Sequence, residues 1–338
     1  MIAPNSTLSS SPPARLRFGV ANVLLIANPG SRNGRKALPA VLEVLRNAGI
    51  RAEIAETTAP LDAIELVRTR ILANPGVFDA VLALGGDGTA MEVATALAEL
   101  PDAPPLGIIA GGAANVLART LGIPQNPARA VAALLDADAI AIDIGRVEGG
   151  PAFAIGLGVG LDAAMIGGTS SVLKRRIGYV AYAFSALRAG LRLERFHVKV
   201  TVDGAVHEAD TSSVLVANFG TVLGGWVCFG EDIGHRDGVL DVCLYSPRSH
   251  FEAVRIFCRM LWGGVSRDCR VRIIRGRNVR IETDPPRPMQ ADGELLGLTP
   301  VDIRVEPNAV RVLVPHAAQA HRRVSRRVRT EQLERCTP

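Results

Sequence analysis

From Val20 to Asp143, short apolar runs alternate with longer segments whose apolar residues recur at helical spacing. This is the pattern of βα units around a mostly parallel sheet. Val20 to Ala27, Arg51 to Glu56, Phe78 to Leu84, Leu106 to Ala110 and Ala139 to Val147 are the expected strands. Between the first two, Arg35 to Ala48 places Leu38, Val41, Leu42 and Leu45 at helical intervals, and Gly49 closes that helix. Further helices are expected over Leu61 to Leu72, Thr89 to Leu100 and Val116 to Leu121.

The texture changes after the turn Glu148-Gly149-Gly150-Pro151. Strand-like runs then dominate, at Ala152 to Gly158, Phe196 to Val202, Thr211 to Asn218, Val239 to Tyr245, Arg270 to Ile274, Asn278 to Thr283, Val301 to Val305 and Val310 to Val314. Two helices interrupt them, Ser171 to Leu193 and Ser249 to Gly263. The expected organisation is a loose leader over 1–18, an α/β domain over 19–147, a β-rich domain over 148–315 and a basic tail over 316–338. A chain of 338 residues with 48% apolar content is long enough for two cores.

Composition removes several function classes. The five cysteines show no CxxC spacing, so neither a zinc site nor a disulfide framework is indicated, and a reducing cytoplasm fits. The N-terminal stretch lacks the basic-then-apolar order of a secretory signal. Asp162 and Arg188 break the longest apolar stretches short of the roughly 20 residues that span a bilayer. Of the net charge of +5, the tail from His316 to Pro338 supplies +4, as six arginines against two glutamates. The near-neutral body gives no nucleic-acid signature, and the tail suits either a solvated, frayed helix or contact with anionic lipid headgroups.

The chemistry concentrates where Phe78 to Leu84 runs into Gly85-Gly86-Asp87-Gly88-Thr89. Glycines there let the backbone approach an anion, and the following helix points N–H groups at it. An aspartate against bare phosphate repels it, so Asp87 implies an intervening Mg2+ ion or hydroxyl. A tight turn with Asp87 as a helix cap is the plainer alternative, although one turn rarely needs three glycines. A second cluster, Asn28-Pro29-Gly30-Ser31-Arg32-Asn33-Gly34-Arg35-Lys36, crowds cations at a helix start, where they oppose the helix dipole unless an anion binds. Neither GxxxxGK[ST] nor a GxGxxG after the first strand occurs, so the P-loop and dinucleotide fingerprints fail.

Taken in order, NPGSRNGR, GGDGTAMEV, GGAANVLARTLGIP, Ile142-Asp143-Ile144-Gly145, GLGVGLDA, Asn218 with Gly224-Gly225, and Asp292-Gly293-Glu294 resemble the diacylglycerol kinase catalytic family, especially its bacterial lipid-kinase branch. The resemblance covers about residues 19 to 315. It implies an NAD-kinase-like α/β domain that carries ATP, a β-rich domain, and an active cleft between them. It further implies nucleotide contacts at Asn28, Ser31, Gly86, Asp87, Gly88 and Thr89, and at Gly112 and Asn115 of a GTxN-like loop. Asp87 and Asp143 would organise Mg2+, and Asp292 and Glu294 would match the DGE pair whose glutamate is the general base. Asp232 and Asp237 fall where family members hold a structural Mg2+.

The acceptor implied is a lipid hydroxyl at the inner face of a membrane, with a second copy of the chain as a further candidate partner. The apolar segments Tyr179 to Leu193 and Phe251 to Val265 would serve its acyl chains or the bilayer surface. Plain core packing is the simpler use for such stripes. Met91, Ala110 and Ala113 replace an asparagine, a proline and a threonine of the family pattern, which keeps a non-catalytic binder open beside an NAD kinase.

Overall fold

In a computed structural model, residues 21–160 and 194–316 are described. The helix expected over Ser171 to Leu193 lies outside them. The first half forms as βα units: β1 (Asn22–Ala27), α1 (Gly34–Asn47), β2 (Arg51–Glu56), α2 (Asp62–Ala73), β3 (Ala80–Gly85), α3 (Asp87–Ala98) and β4 (Leu106–Ala110). Strands β3 and β4 are buried at every position, which is why they read as unbroken apolar runs rather than alternations. Helix α1 buries Ala37, Val41 and Leu45, one face at the spacing expected for it.

These strands are parallel in the order β2-β1-β3-β4. The chain steps one way from β1 to β2 and the other way to β3 and β4. With right-handed crossovers, α1 therefore covers one face and α2 and α3 the other. The carboxyl ends of β1 and β3 flank the reversal, the usual place for a ligand in an open α/β sheet. Both glycine-bearing loops leave from those two ends.

Two helices follow, α4 (Val116–Thr120) and α5 (Pro127–Leu134), then the long strand β5 (Ala137–Val147). No expectation covered α5, although its start is signalled by Asn126, whose side chain accepts from Arg129 N, and by Pro127 at the first turn.

The second half contains β6 (Ala152–Phe153), β7 (Gly156–Gly160), β8 (Phe196–Val202), β9 (Ala205–Thr211), β10 (Ser213–Ala217), β11 (Thr221–Val222), β12 (Val227–Cys228) and β13 (Leu240–Tyr245). After these come α6 (His250–Trp262), β14 (Val271–Gly276), β15 (Asn278–Asp284), β16 (Pro288–Ala291), β17 (Glu294–Leu298) and β18 (Val301–Pro315). A six-stranded antiparallel sheet, β14-β13-β10-β7-β16-β17, packs against strands of the first sheet. Phe196, Val198 and Val200 of β8 meet Leu157, Val214 and Val242 in that core. Helix α6 covers the outer side through Ile256, Cys228, Cys243 and Tyr245.

The two runs expected at Val301 to Val305 and Val310 to Val314 are one strand, irregular between Glu306 and Val310. Strand β18 pairs with β5 along almost its whole length, with β15 at its start and with β4 at Val312. The β5–β18 ribbon thus joins the halves, and the chain's last described strand returns to the first sheet. Among the described residues no helix is long and apolar enough to cross a membrane.

Candidate active site

Helix α3 starts at Asp87, two residues earlier than its periodicity indicates, with Gly86 as an extended N-cap. No side-chain cap closes its first turn, so the N–H groups there are available to an anion. Asp87 in turn reaches across to the next loop, where its Oδ1 accepts from Leu117 N at 3.0 Å. Burial pushes the Asp87 carboxyl up, against hydrogen bonds from the amides of Leu117, Val116 and Asn115 that pull it down.

The Asn28 loop is fastened to the same turn. Asn28 Nδ2 donates to Thr89 Oγ1 at 3.0 Å, while its Oδ1 accepts from Ser31 N at 3.1 Å and its carbonyl from Ser31 Oγ at 2.8 Å. Asn28, Ser31 and Thr89 therefore shape the seat. Arg32, Arg35 and Lys36 are exposed at the start of α1, whose first turn holds no acid. Gly34, to which the motif alone assigns no role, is required here because a Cβ on it would lie 2.0 Å from the Asn28 carbonyl oxygen.

Gly112 and Asn115 form the third wall. A Cβ on Gly112 would lie 2.6 Å from Gly86 Cα, so the two loops touch backbone to backbone and only glycine fits. Asn115 adopts the left-handed conformation, with φ 48°, and its Oδ1 accepts from Gly112 N at 2.9 Å. Met91 packs in the core of the first domain, so an apolar contact stands where the family pattern has an amide. Ala110 ends β4 and is buried in the same core.

The fourth wall comes from the other domain. Strands β16 and β17 are a hairpin whose turn is Asp292-Gly293, and this pair of strands was not expected. Asp292 accepts from Ala154 N at 2.7 Å, Ile155 N at 2.9 Å and Gly156 N at 3.0 Å, which bolts the hairpin to the start of β7. Desolvation pushes its carboxyl up to about 6; the three amides oppose the shift, and the charge of Asp87 adds to it. Two residues on, Glu294 is exposed, and its Oε1 lies 3.0 Å from where a Cβ on Gly88 would be. The hairpin thus lays Glu294 over the glycine loop.

Asp143 is used differently from the expectation that it organises Mg2+ with Asp87. It is fully buried, and its Oδ2 accepts from Gly238 N at 2.8 Å and its Oδ1 from Asn308 N at 2.7 Å. Both oxygens are engaged by main chain, so the side chain acts as a clamp on β13 and β18. Asn218 reinforces it, donating Nδ2 to the Asp143 and Ala154 carbonyls at 2.7 Å each.

Asp237 pairs with Arg275, so a cation of the chain's own stands beside it. Asp232 is near enough to add to the upward shift of Asp241. Among the described residues no group of three acidic, histidine or cysteine side chains could hold a metal unaided. Asp87 nevertheless suits a cation in company with phosphate, whereas both oxygens of Asp292 are taken by main-chain amides. Burial leaves the Asp87 charge undercompensated, and Mg2+ is commonly held by one or two carboxylates plus substrate oxygens.

The diacylglycerol kinase catalytic domain matches residues 22–147, and the YegS C-terminal NAD kinase beta sandwich-like domain matches residues 156–314. The diacylglycerol kinase of Bacillus subtilis (strain 168) is 28% identical over 294 residues, covering 86% of this chain and 95% of that protein. An uncharacterized protein of Synechocystis sp. is 27% identical over 304 residues, 86% of this chain and 70% of its own. A crystal structure from Bacillus anthracis str. Sterne superposes with a TM-score of 0.75 at 27% identity, over 89% of this chain and 99% of that one. A diacylglycerol kinase structure from the same strain superposes with a TM-score of 0.69 at 24% identity, over the same shares, and bears on the fold alone. Two domain matches that tile residues 22–314, on a site built from the loops both domains supply, place the chain in the diacylglycerol kinase catalytic-domain family, as a kinase of lipid type.

Proposed function

We propose that the protein transfers the γ-phosphoryl group of ATP to the hydroxyl of a diacylglycerol-like or sphingoid lipid at a membrane surface. The observation that carries the reading is Glu294 Oε1 poised over Gly88, because it puts an exposed carboxylate where an acceptor hydroxyl must meet the phosphate. The open first turn of α3 and the Gly112 loop receive the phosphates, with Arg32 at the rim. Mg2+ when bound neutralises phosphate oxygens, and Asp87 is the residue that would hold it.

Glu294 accepts the hydroxyl proton as the oxygen attacks phosphorus and the bridging oxygen departs with ADP. A loose phosphoryl-transfer transition state asks for little early proton abstraction, so a carboxylate suffices as base. Asp292, held by three amides, is a positioning residue for Glu294. Leu295 and Leu298, both exposed on β17 beside Glu294, offer the lipid an apolar approach.

Purified protein with Mg-ATP and diacylglycerol, monoacylglycerol, phosphatidylglycerol, sphingosine or ceramide tests the reading, with NAD as a further acceptor. A phosphorylated lipid supports it. NADP formation instead, or nucleotide binding with no product from any acceptor, overturns it.

A further inference from the structure

The chain has two tryptophans, and both Trp226 and Trp262 are 77% exposed, unusual for the largest side chain, which is mostly covered in folded proteins. They belong to neighbouring elements. Trp262 ends α6, and Trp226 immediately precedes β12, whose Cys228 packs with Ile256 of α6. Glu231, three residues beyond Cys228, caps the turn after α6 by accepting from Val265 N and Ser266 N at 3.1 Å each.

Helix α6 is apolar on two faces. Ile256 is buried, and Met260 packs beside it, facing the sheet. Phe251, Val254 and Trp262 recur at helical spacing on the opposite side, 77%, 47% and 77% exposed. Such a stripe, rimmed by polar groups, marks a binding surface rather than a scatter of surface residues.

The charge around it is mostly positive. Residues 246–277 carry eight arginines against Glu252 and Asp268, a net +6 that exceeds the +5 of the whole chain. Arg255 and Arg259, at the edge of the stripe, are fixed by Asp268, which is itself buried. Arg248 and Arg267 flank the two ends of the helix and take part in none of the ion pairs among the described residues.

We infer that this rim, formed by the outer face of α6 and the Trp226 hairpin, seats the protein on an anionic phospholipid bilayer. Tryptophan and phenylalanine on one side of a helix with arginines at its margins is the composition that lies in a bilayer interface. The rim also adjoins the site. Leu223 N in the Trp226 hairpin donates to Thr120 Oγ1 at the end of α4, and Leu117 near its start donates to Asp87. Docking through this face therefore brings the phosphate-binding loops to the membrane surface, which goes beyond the assignment of a lipid acceptor.

The test uses the full chain and vesicles of phosphatidylcholine with and without phosphatidylglycerol. Trp226→Phe and Trp262→Phe each leave a single reporter. Both remaining emissions should be quenched by iodide in buffer, and should shift to the blue and be quenched by brominated acyl chains when phosphatidylglycerol vesicles are added. Phe251→Ser with Val254→Ser should weaken vesicle sedimentation by about tenfold or more, as expected for two apolar side chains no longer buried. That double variant should keep the parent's rate on a short-chain, water-soluble diacylglycerol.

Tryptophans already shielded from iodide without vesicles would overturn the inference, since residues 161–193 or a second copy would then cover the rim. Vesicle binding without quenching by brominated chains would overturn it as well, by placing the contact elsewhere. The binding measurements need no catalysis, so failure of the phosphoryl-transfer reading leaves them interpretable.

Discussion

Glu294 and Gly88 meet across the two domains, so closely that a Cβ on Gly88 would lie 3.0 Å from the glutamate's Oε1. The contact couples the phosphate seat to the expected base. Gly88→Ala should push the carboxylate aside, lowering kcat roughly tenfold with little change in nucleotide affinity, because displacements of about 1 Å cost up to 10²-fold. Glu294→Gln should lower kcat by about 10²- to 10⁴-fold, the range for general-base removal. Steady-state kinetics on the accepted lipid, beside nucleotide binding by calorimetry, checks both. An unchanged kcat in Glu294→Gln would remove the residue from the mechanism.

Asp292 and Asp87 share one electrostatic environment. The Asp292 carboxyl sits at about 6 mainly through desolvation, with the Asp87 charge as a further upward push. Asp87→Asn removes that push, so the Asp292 titration should move down from about 6. Carboxyl-carbon NMR on labelled aspartate reads the midpoint directly. Mg2+ held at Asp87 without nucleotide should move it the same way, since added positive charge favours the ionised form. A midpoint that ignores both changes would mean the two carboxylates are not coupled.

The first half of the fold was legible because β1, β3 and β4 are buried on both faces, so Val23 to Ala27 and Val81 to Leu84 read as plain apolar runs. The β16–β17 hairpin was not. Its Leu295 and Leu298 are exposed, Pro285 and Pro286 precede it and Pro288 opens it, so neither period two nor burial marked a strand. Asp-Gly-Glu gave the residues of the site but not their placement. Asp143 shows the limit most plainly, since its two partners lie 95 and 165 residues away in sequence and no local pattern announces them.

That placement makes a sharp distinction for Asp143. As a clamp, its loss removes two charge-assisted hydrogen bonds, from the amides of Gly238 and Asn308, each worth about 1.5 to 3 kcal/mol. Asp143→Ala should therefore lower the unfolding free energy from denaturant titration by an amount on that scale, while the Mg2+ concentration giving half-maximal activity stays near that of the parent. A large rise in that concentration with normal stability would return Asp143 to the metal.

Asp241 gives a prediction in pH. It is buried, its Oδ2 has no hydrogen-bond partner among the described residues, and desolvation raises its carboxyl to about 6 from an ordinary 3.8. Arg275 pulls the other way, at 3.1 Å, and the charges of Asp237 and Asp232 add to the rise. The folded protein thus binds a proton here that the unfolded chain has released. The stability this confers is complete below about 3.8 and is lost as pH rises through about 6. Asp241→Asn has no such dependence. Measured by urea denaturation, the variant should gain on the parent between those two pH values, by about 3 kcal/mol once both steps are passed, at 1.36 kcal/mol per unit. Parallel stability curves across that window would mean that Arg275 alone satisfies the carboxylate.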